Sequence, residues 1–272
     1  MTASGRTNSS GPALTLRLSP FDPRQTFGCG QCFRWAPLPD GTWEGVALGR
    51  VVHLTCSGEK ITLAGVPGTP EEEARWAAYF DASTDYPAVQ SALARDPVLR
   101  AALQAGGGIR ILRQDLWEVI VSFIISQNNN IPRIRGCIER LSSFFGPVCG
   151  RDQAGQPRHA LPAPSILSGL SPEDLAPVRL GYRAKYLTAC AREIQDRGLP
   201  RTREDLLALT GVGPKVADCI ALFGLGDRSR FPVDVWVRRV MGRLYGLPEK
   251  DGDAIRAFAA DRYGGLGGYA QQ

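Results

Sequence analysis

The stretch Leu209-Thr210-Gly211-Val212-Gly213-Pro214-Lys215-Val216-Ala217-Asp218-Cys219, with Phe231-Pro232-Val233-Asp234 a short loop later, decides how this chain is read. Leu206, Leu207 and Leu209 close one apolar-periodic segment; Val216, Ala217, Ile220 and Phe223 form the apolar face of the next. Between them Gly211 and Gly213 permit positive φ and a close approach of backbone to something else. The N–H groups of Gly211, Val212 and Gly213, with a helix N-terminus behind them, form an anion site. On a chain of net charge +5 the expected anion is a nucleic-acid phosphate.

Lys215 opens the second segment, where the helix field disfavours a cation. One reading is a solvated lysine that meets phosphate as a point charge. The other is an amine kept neutral to act as a Schiff-base nucleophile. The segment alone leaves both open. Asp234 precedes a periodic run (Val235, Val237, Val240, Met241, Leu244) and is a natural helix N-cap. A capping carboxylate is fixed in position, so it can also stabilise a developing positive charge or take a proton.

Helix, Gly-Val-Gly hairpin, helix and Pro-Val-Asp together resemble the helix-hairpin-helix DNA glycosylases with a Gly/Pro-rich loop and a catalytic aspartate. Lysine at 215 resembles the members that both remove a base and cut the strand. Gly-Val-Gly-Pro-Lys-Val-Ala-Asp-Cys narrows the resemblance to the 8-oxoguanine DNA glycosylase branch. It covers the chain from about Leu14 onward. It implies a mostly α, α+β fold: a helical bundle with a small N-terminal antiparallel β-sheet subdomain.

Three further segments carry the resemblance. In Ser126-Gln127-Asn128-Asn129-Asn130-Ile131-Pro132-Arg133 the plain reading is a capped turn between helices. The resemblance implies that Asn128 fills the hole left by a flipped base and that Arg133 reads the orphaned cytosine. Leu180-Gly181-Tyr182-Arg183 reads plainly as an amphipathic helix start. The resemblance makes Tyr182 a wedge and Arg183 a second cytosine reader, whose donors suit cytosine O2 and N3 and reject adenine. Gly28-Cys29-Gly30-Gln31-Cys32-Phe33-Arg34-Trp35 is plainly a tight turn into an aromatic strand. The resemblance makes it a damage-sensing loop with Phe33 in it and the Gly30 carbonyl accepting from N7–H of an oxidised guanine. A normal guanine offers a lone pair there instead. One such contact is worth about 1–3 kcal/mol, so discrimination is shared with base extrusion.

Cys219 stands one turn after Lys215. It reads as a small buried residue, and the resemblance implies packing against the flipped base. Gln271 matches a glutamine that reads the base's Watson–Crick edge. Trp236 departs from the pattern, standing where well-known members carry a phosphate-contacting histidine. The chain ends at Gln272, where the family continues into a helix with a base-stacking aromatic, so a C-terminally shortened chain with weaker base binding is expected.

Composition sets outer limits. Hydrophobic residues make up 43% and charged residues 22% of the 272, which is globular and long enough for a sizeable core. The pI near 8.9 fits a nucleic-acid partner without requiring one. No run is apolar enough to span a bilayer and no signal-peptide pattern is present, so no membrane partner is expected. Seven scattered cysteines imply reduced thiols inside a cell: cytoplasm or nucleoid if bacterial, nucleus if eukaryotic. Cys29-Gly30-Gln31-Cys32 lacks a second ligand pair for zinc and a thioredoxin-like context, and the four-cysteine iron–sulfur pattern of some relatives is missing. No metal and no cofactor are expected.

Residues 1–12 are Ser/Gly/Thr-rich and read as a disordered tail. Residues 13–85 read as the β subdomain with a helix: strands at Leu14–Leu18, Thr42–Leu48, Val51–Cys56 and Lys60–Leu63, then a helix at Glu71–Phe80. Residues 86–272 read as the helical catalytic region, with helices including Pro172–Ala176 and Lys215–Phe223 and a loop at Gly146–Pro162. The whole predicts a monomeric DNA glycosylase/AP lyase acting on duplex DNA with 8-oxoguanine opposite cytosine. Two alternatives are a sister glycosylase for another base and a non-catalytic helix-hairpin-helix DNA-binding protein. The lysine and the asparagine run weigh against the first, and Pro-Val-Asp against the second.

Overall fold

The structure is a computed structural model that describes residues 11–272; all but the last two positions of the expected N-terminal tail lie outside the described residues. Five strands form an antiparallel sheet: β1 (Ala13–Arg17), β2 (Trp35–Pro37), β3 (Trp43–Ala47), β4 (Arg50–Ser57) and β5 (Lys60–Ala64), in the order β1-β5-β4-β3-β2. Alternation fixes the register: Leu14 pairs with Leu63 and Leu16 with Ile61, all four on the buried face. A helix α1 (Pro23–Gly28) and α2 (Pro70–Tyr79) cover that face, where the Phe27 and Trp35 rings stack at 4.4 Å and Trp35 Nε1 donates to Tyr79 Oη at 2.8 Å.

The remaining helices are α3 (Tyr86–Leu93), α4 (Pro97–Gly106), α5 (Leu116–Ser126), α6 (Ile131–Phe145), α7 (Pro164–Ser168), α8 (Arg183–Arg197), α9 (Arg203–Leu207), α10 (Pro214–Ile220), α11 (Val235–Tyr245), α12 (Gly252–Tyr263) and α13 (Gly267–Gln271). Their starts follow from local chemistry. Asp22, Thr69 and Asp96 each cap a helix with proline at its first position, and Asp115, Asn130 and Asp234 cap α5, α6 and α11 through side-chain oxygens. Helix α5 runs through the centre, with Trp117 and every residue from Val119 to Ile125 buried. It packs against α6, α8 and α10, so the segment that opens with Lys215 is backed by a buried helix.

Two expectations need correction. The Gly146–Pro162 loop contains a two-stranded hairpin, β6 (Val148–Arg151) and β7 (Pro157–His159), closed by an Asp152–Gln156 turn. Its short, polar strands carry no alternation to betray them. The helix expected at Pro172–Ala176 is instead a turn held by Asp174, whose Oδ2 accepts from Ser171 N and Oγ at 2.8 Å, followed by one 3₁₀ turn at Ala176–Val178.

Sheet and helices are locked by polar residues from the Cys29–Trp35 segment. Buried Gln31 donates to Thr26 O and Arg110 O and accepts from Leu112 N, all within 2.9 Å. Arg34 donates to Glu139 and to His159 O. Glu118 faces this junction, and burial pushes its carboxyl up to about 7, against the pull of Arg34. A folded-state value raised above the unfolded one means that the native state holds the proton more tightly. Stability is therefore lost as pH rises through about 7. Glu118→Gln is expected to stabilise the protein by about 1–3 kcal/mol at pH 8 and by little at pH 5, read from urea midpoints at the two pH values. A gain equal at both pH values would contradict this assignment.

Candidate active site

Lys215 and Asp234 come from two helix N-termini that face one cleft. Proline at the first position of α10 and the Gly213 cap place Lys215 in the first turn, half-buried. Its Nζ lies 5.2 Å from the centroid of the Phe123 ring, and the lysine takes part in none of the ion pairs found among the described residues. A cleft amine with no carboxylate partner is chemically able to serve as a nucleophile. Asp234 Oδ1 accepts from Val237 N at 2.8 Å, which fixes the carboxylate at the start of α11.

The cleft has a volume of about 920 Å³ and is lined by Lys215, Asp234, Asn128, Gly30, Phe33 and Trp236 among others. Parts of the chain far apart in sequence thus converge on one hollow. Phe33 is only 6% exposed and packs edge-on to Phe123 with centroids 5.9 Å apart, so it backs the ring that lies under the lysine. Gly30 adopts φ +89°, a conformation that glycine reaches without strain, beside the cleft.

The hairpin differs in detail from the sequence reading. Gly211 has φ +84°, but Gly213 has φ −90° and simply caps α10. Val212 is buried and its N–H bonds to Leu209 O at 3.1 Å. Its amide is therefore turned inward and, unlike the reading of the sequence, is spent on the turn itself. A Cβ on Gly211 would stand 2.6 Å from Tyr186 Cβ. Gly211→Ala is expected to destabilise the protein by about 2–4 kcal/mol, from clash and positive φ together, measured as a shifted denaturation midpoint. A change below 1 kcal/mol would contradict the close approach.

The asparagine loop is tied to this hairpin by Gln127, whose Nε2 donates to Gly211 O at 2.8 Å. Asn128 is exposed and holds a left-handed φ of +47°, which asparagine tolerates. Arg133 is exposed at the start of α6, and Tyr182 is 46% exposed at the N-cap of α8. Arg183 points the other way: it is 4% exposed and its guanidinium donates to Leu180 O, Gln127 O and Asn128 O. Here it is the brace that shapes the Asn128 loop.

Cys219 is 3% exposed and lines neither this cleft nor the cavity beyond it. Burial pushes its thiol up to about 11, against the pull of neighbouring Lys215, so it stays neutral. Gln271 lies in a second cavity of about 800 Å³, walled by Trp236, Val240, Leu244 and Met241 of α11. Cys29, Asp234 and Trp236 border both hollows.

Sequence reasoning passed over three supports. Phe123 sits in a uniformly apolar run, so nothing flagged its place under the lysine. Asp218 is 1% exposed and pairs with Arg203 at 2.6 Å and, more loosely, Arg256 at 3.9 Å, which fastens α10 to α9 and α12. An acid on an otherwise apolar face was the available signal. The third is Gln127. Among the described residues, no cluster of metal-ligating side chains is found and no helix is long and apolar enough to cross a membrane.

Comparison with known proteins agrees with this architecture. Residues 13–120 match the N-terminal domain of 8-oxoguanine DNA glycosylase, and residues 121–262 match the HhH-GPD superfamily of base excision DNA repair proteins. The N-glycosylase/DNA lyase OGG1 of Arabidopsis thaliana is 31% identical over 90% of this chain and 74% of its own length. A probable N-glycosylase/DNA lyase of Methanothermobacter thermautotrophicus is 31% identical over 65% of each chain. The yeast N-glycosylase/DNA lyase is 38% identical over 52% of this chain, which spans 43% of that relative's length. The apo structure of the Clostridium acetobutylicum 8-oxoguanine glycosylase/lyase superposes with a TM-score of 0.89 at 36% identity, covering 96% of this chain and 94% of that one. The chain belongs to the HhH-GPD superfamily of base excision DNA repair proteins, in its 8-oxoguanine DNA glycosylase branch.

Proposed function

We propose that the protein excises 8-oxoguanine paired with cytosine from duplex DNA and then cuts the strand at the resulting abasic site. The carrying observation is that an amine outside every ion pair among the described residues, Lys215, and a helix-capping carboxylate, Asp234, line one cleft edged by the Gly30 turn and the Asn128 loop. The Clostridium relative, 37% identical, has been solved with double-stranded DNA containing cytosine opposite 8-oxoguanine, at a TM-score of 0.87.

The chemistry follows from the roles this pair can fill. As the C1′–N9 bond breaks, Asp234 stabilises the positive charge that grows on the sugar. Lys215 Nζ bonds to C1′, the sugar ring opens, and a protonated imine forms. Loss of a C2′ proton then expels the 3′ phosphate by β-elimination. Asn128 and Tyr182 fill the vacated stack, Arg133 reads the cytosine, and Arg183 holds Asn128 in place for that task. The Gly30 carbonyl accepts from the N7–H of the lesion, Gln271 meets its Watson–Crick edge, and the amides of Gly211 and Gly213 grip phosphate. Cys219 supports the lysine from below.

A strand-cleavage assay tests the reading on labelled duplexes carrying 8-oxoguanine or guanine opposite each normal base. Cleavage without added alkali, greatest for 8-oxoguanine opposite cytosine and negligible for guanine, is the expected result. Equal cleavage of undamaged DNA, or none of any duplex, would refute it.

A further inference from the structure

Trp236 is 69% exposed, while the other four tryptophans, at 35, 43, 76 and 117, are at most 8% exposed. A large ring left in water on the first turn of a catalytic helix calls for a partner. Its position supplies one. Trp236 borders both the 920 Å³ cleft that holds Lys215 and the 800 Å³ cavity that holds Gln271, and it shares that threshold with Cys29 and Asp234. A nucleotide whose sugar sits at Lys215 must pass its base across this threshold to reach Gln271. The ring is held by Arg239, whose guanidinium carbon lies 5.0 Å from its centroid. That contact occupies one face of the ring. Beyond it, Val240 and Leu244 continue an apolar stripe into the second cavity.

We infer that Trp236 is the stacking platform for the extruded base, receiving the purine on its free face between the lysine cleft and the Gln271 cavity. The role rests on the excision activity proposed above and adds a base-binding residue to it. A stacked purine gains from the π face of the ring whatever its substituents. The platform therefore serves capture of any extruded purine, and the choice of lesion is left to the Gly30 turn and Gln271. Stacking acts only while the base is attached, so it bears on excision and not on the later elimination step.

Two readouts test this with the whole protein. The only exposed tryptophan dominates fluorescence excited at its red edge. Binding of a duplex with 8-oxoguanine opposite cytosine, in the Lys215→Gln background to prevent turnover, is expected to quench it. A duplex with a tetrahydrofuran abasic analogue is expected to quench it far less. In single-turnover kinetics, Trp236→Ala is expected to lower the ratio of base excision to cleavage of a pre-formed abasic site by about tenfold, and Trp236→Phe to restore most of it. Equal quenching by both duplexes, or excision and abasic-site cleavage falling in parallel, would overturn the inference and assign the ring to backbone contact or folding. Failure of the unmodified protein to excise 8-oxoguanine would instead sink the proposed function, and this inference with it.

Discussion

Lys215→Gln is expected to abolish the covalent adduct that borohydride traps on 8-oxoguanine DNA, and to lower strand cleavage by about 10³-fold or more. Glutamine keeps most of the stem, one atom shorter, and offers no nucleophile. Folding and DNA affinity should change little, because Lys215 takes part in none of the ion pairs among the described residues and the phosphate grip proposed for the hairpin uses backbone amides rather than this side chain. Thermal denaturation and binding to an abasic analogue check those two properties. Loss of DNA affinity as large as the loss of cleavage would return Lys215 to the role of a phosphate-contacting point charge. That is the alternative left open by the sequence.

Asp234→Asn separates two functions of one side chain. Asparagine caps a helix about as well as aspartate, so α11 should stay formed and stability should move by less than about 1 kcal/mol. The negative charge is lost, and with it stabilisation of the sugar cation. Excision is expected to fall by about 10²–10⁴-fold. Asp234→Ala removes the cap as well and is expected to cost about 1 kcal/mol of stability besides. Single-turnover excision and urea denaturation of both variants give the comparison. An asparagine variant with near-native excision would leave Asp234 as a cap only.

How far the sequence could be read depended on whether the deciding interaction was local. Helix starts at Thr69-Pro70 and Asp234 were legible because a cap is a contact between neighbours. Strand β1 was legible through alternation, and β3, β4 and β5 through short β-rich runs separated by the turns at Gly49 and Ser57-Gly58. The two carboxyl- and amine-bearing positions of the cleft were legible because the Gly-rich turn and the Pro-Val-Asp run fix them on helix ends. What escaped was set by tertiary packing. Helix α10 passes into a π-turn at Ala221–Leu225 rather than running on evenly to Phe223. There Gly224 lies so close to Leu116 that a Cβ would be 2.7 Å from its Cδ1. Arg183 looked solvated at a helix start, yet carbonyls of a loop 55 residues away draw it inward. Gly213 and Val212 differ from Gly211 only because the turn closes on Leu209 and Tyr186, which no spacing rule reveals.

The protein holds four lysines, at 60, 185, 215 and 250, so the identity of the nucleophile can be settled chemically. The most direct test of the central claim is to reduce the complex with a duplex carrying 8-oxoguanine opposite cytosine, digest it, and locate the sugar remnant by mass spectrometry. The remnant is expected on Lys215 and on no other lysine. A remnant on Lys185, Lys60 or Lys250, or a duplex cleaved with no remnant on the protein at all, would contradict it.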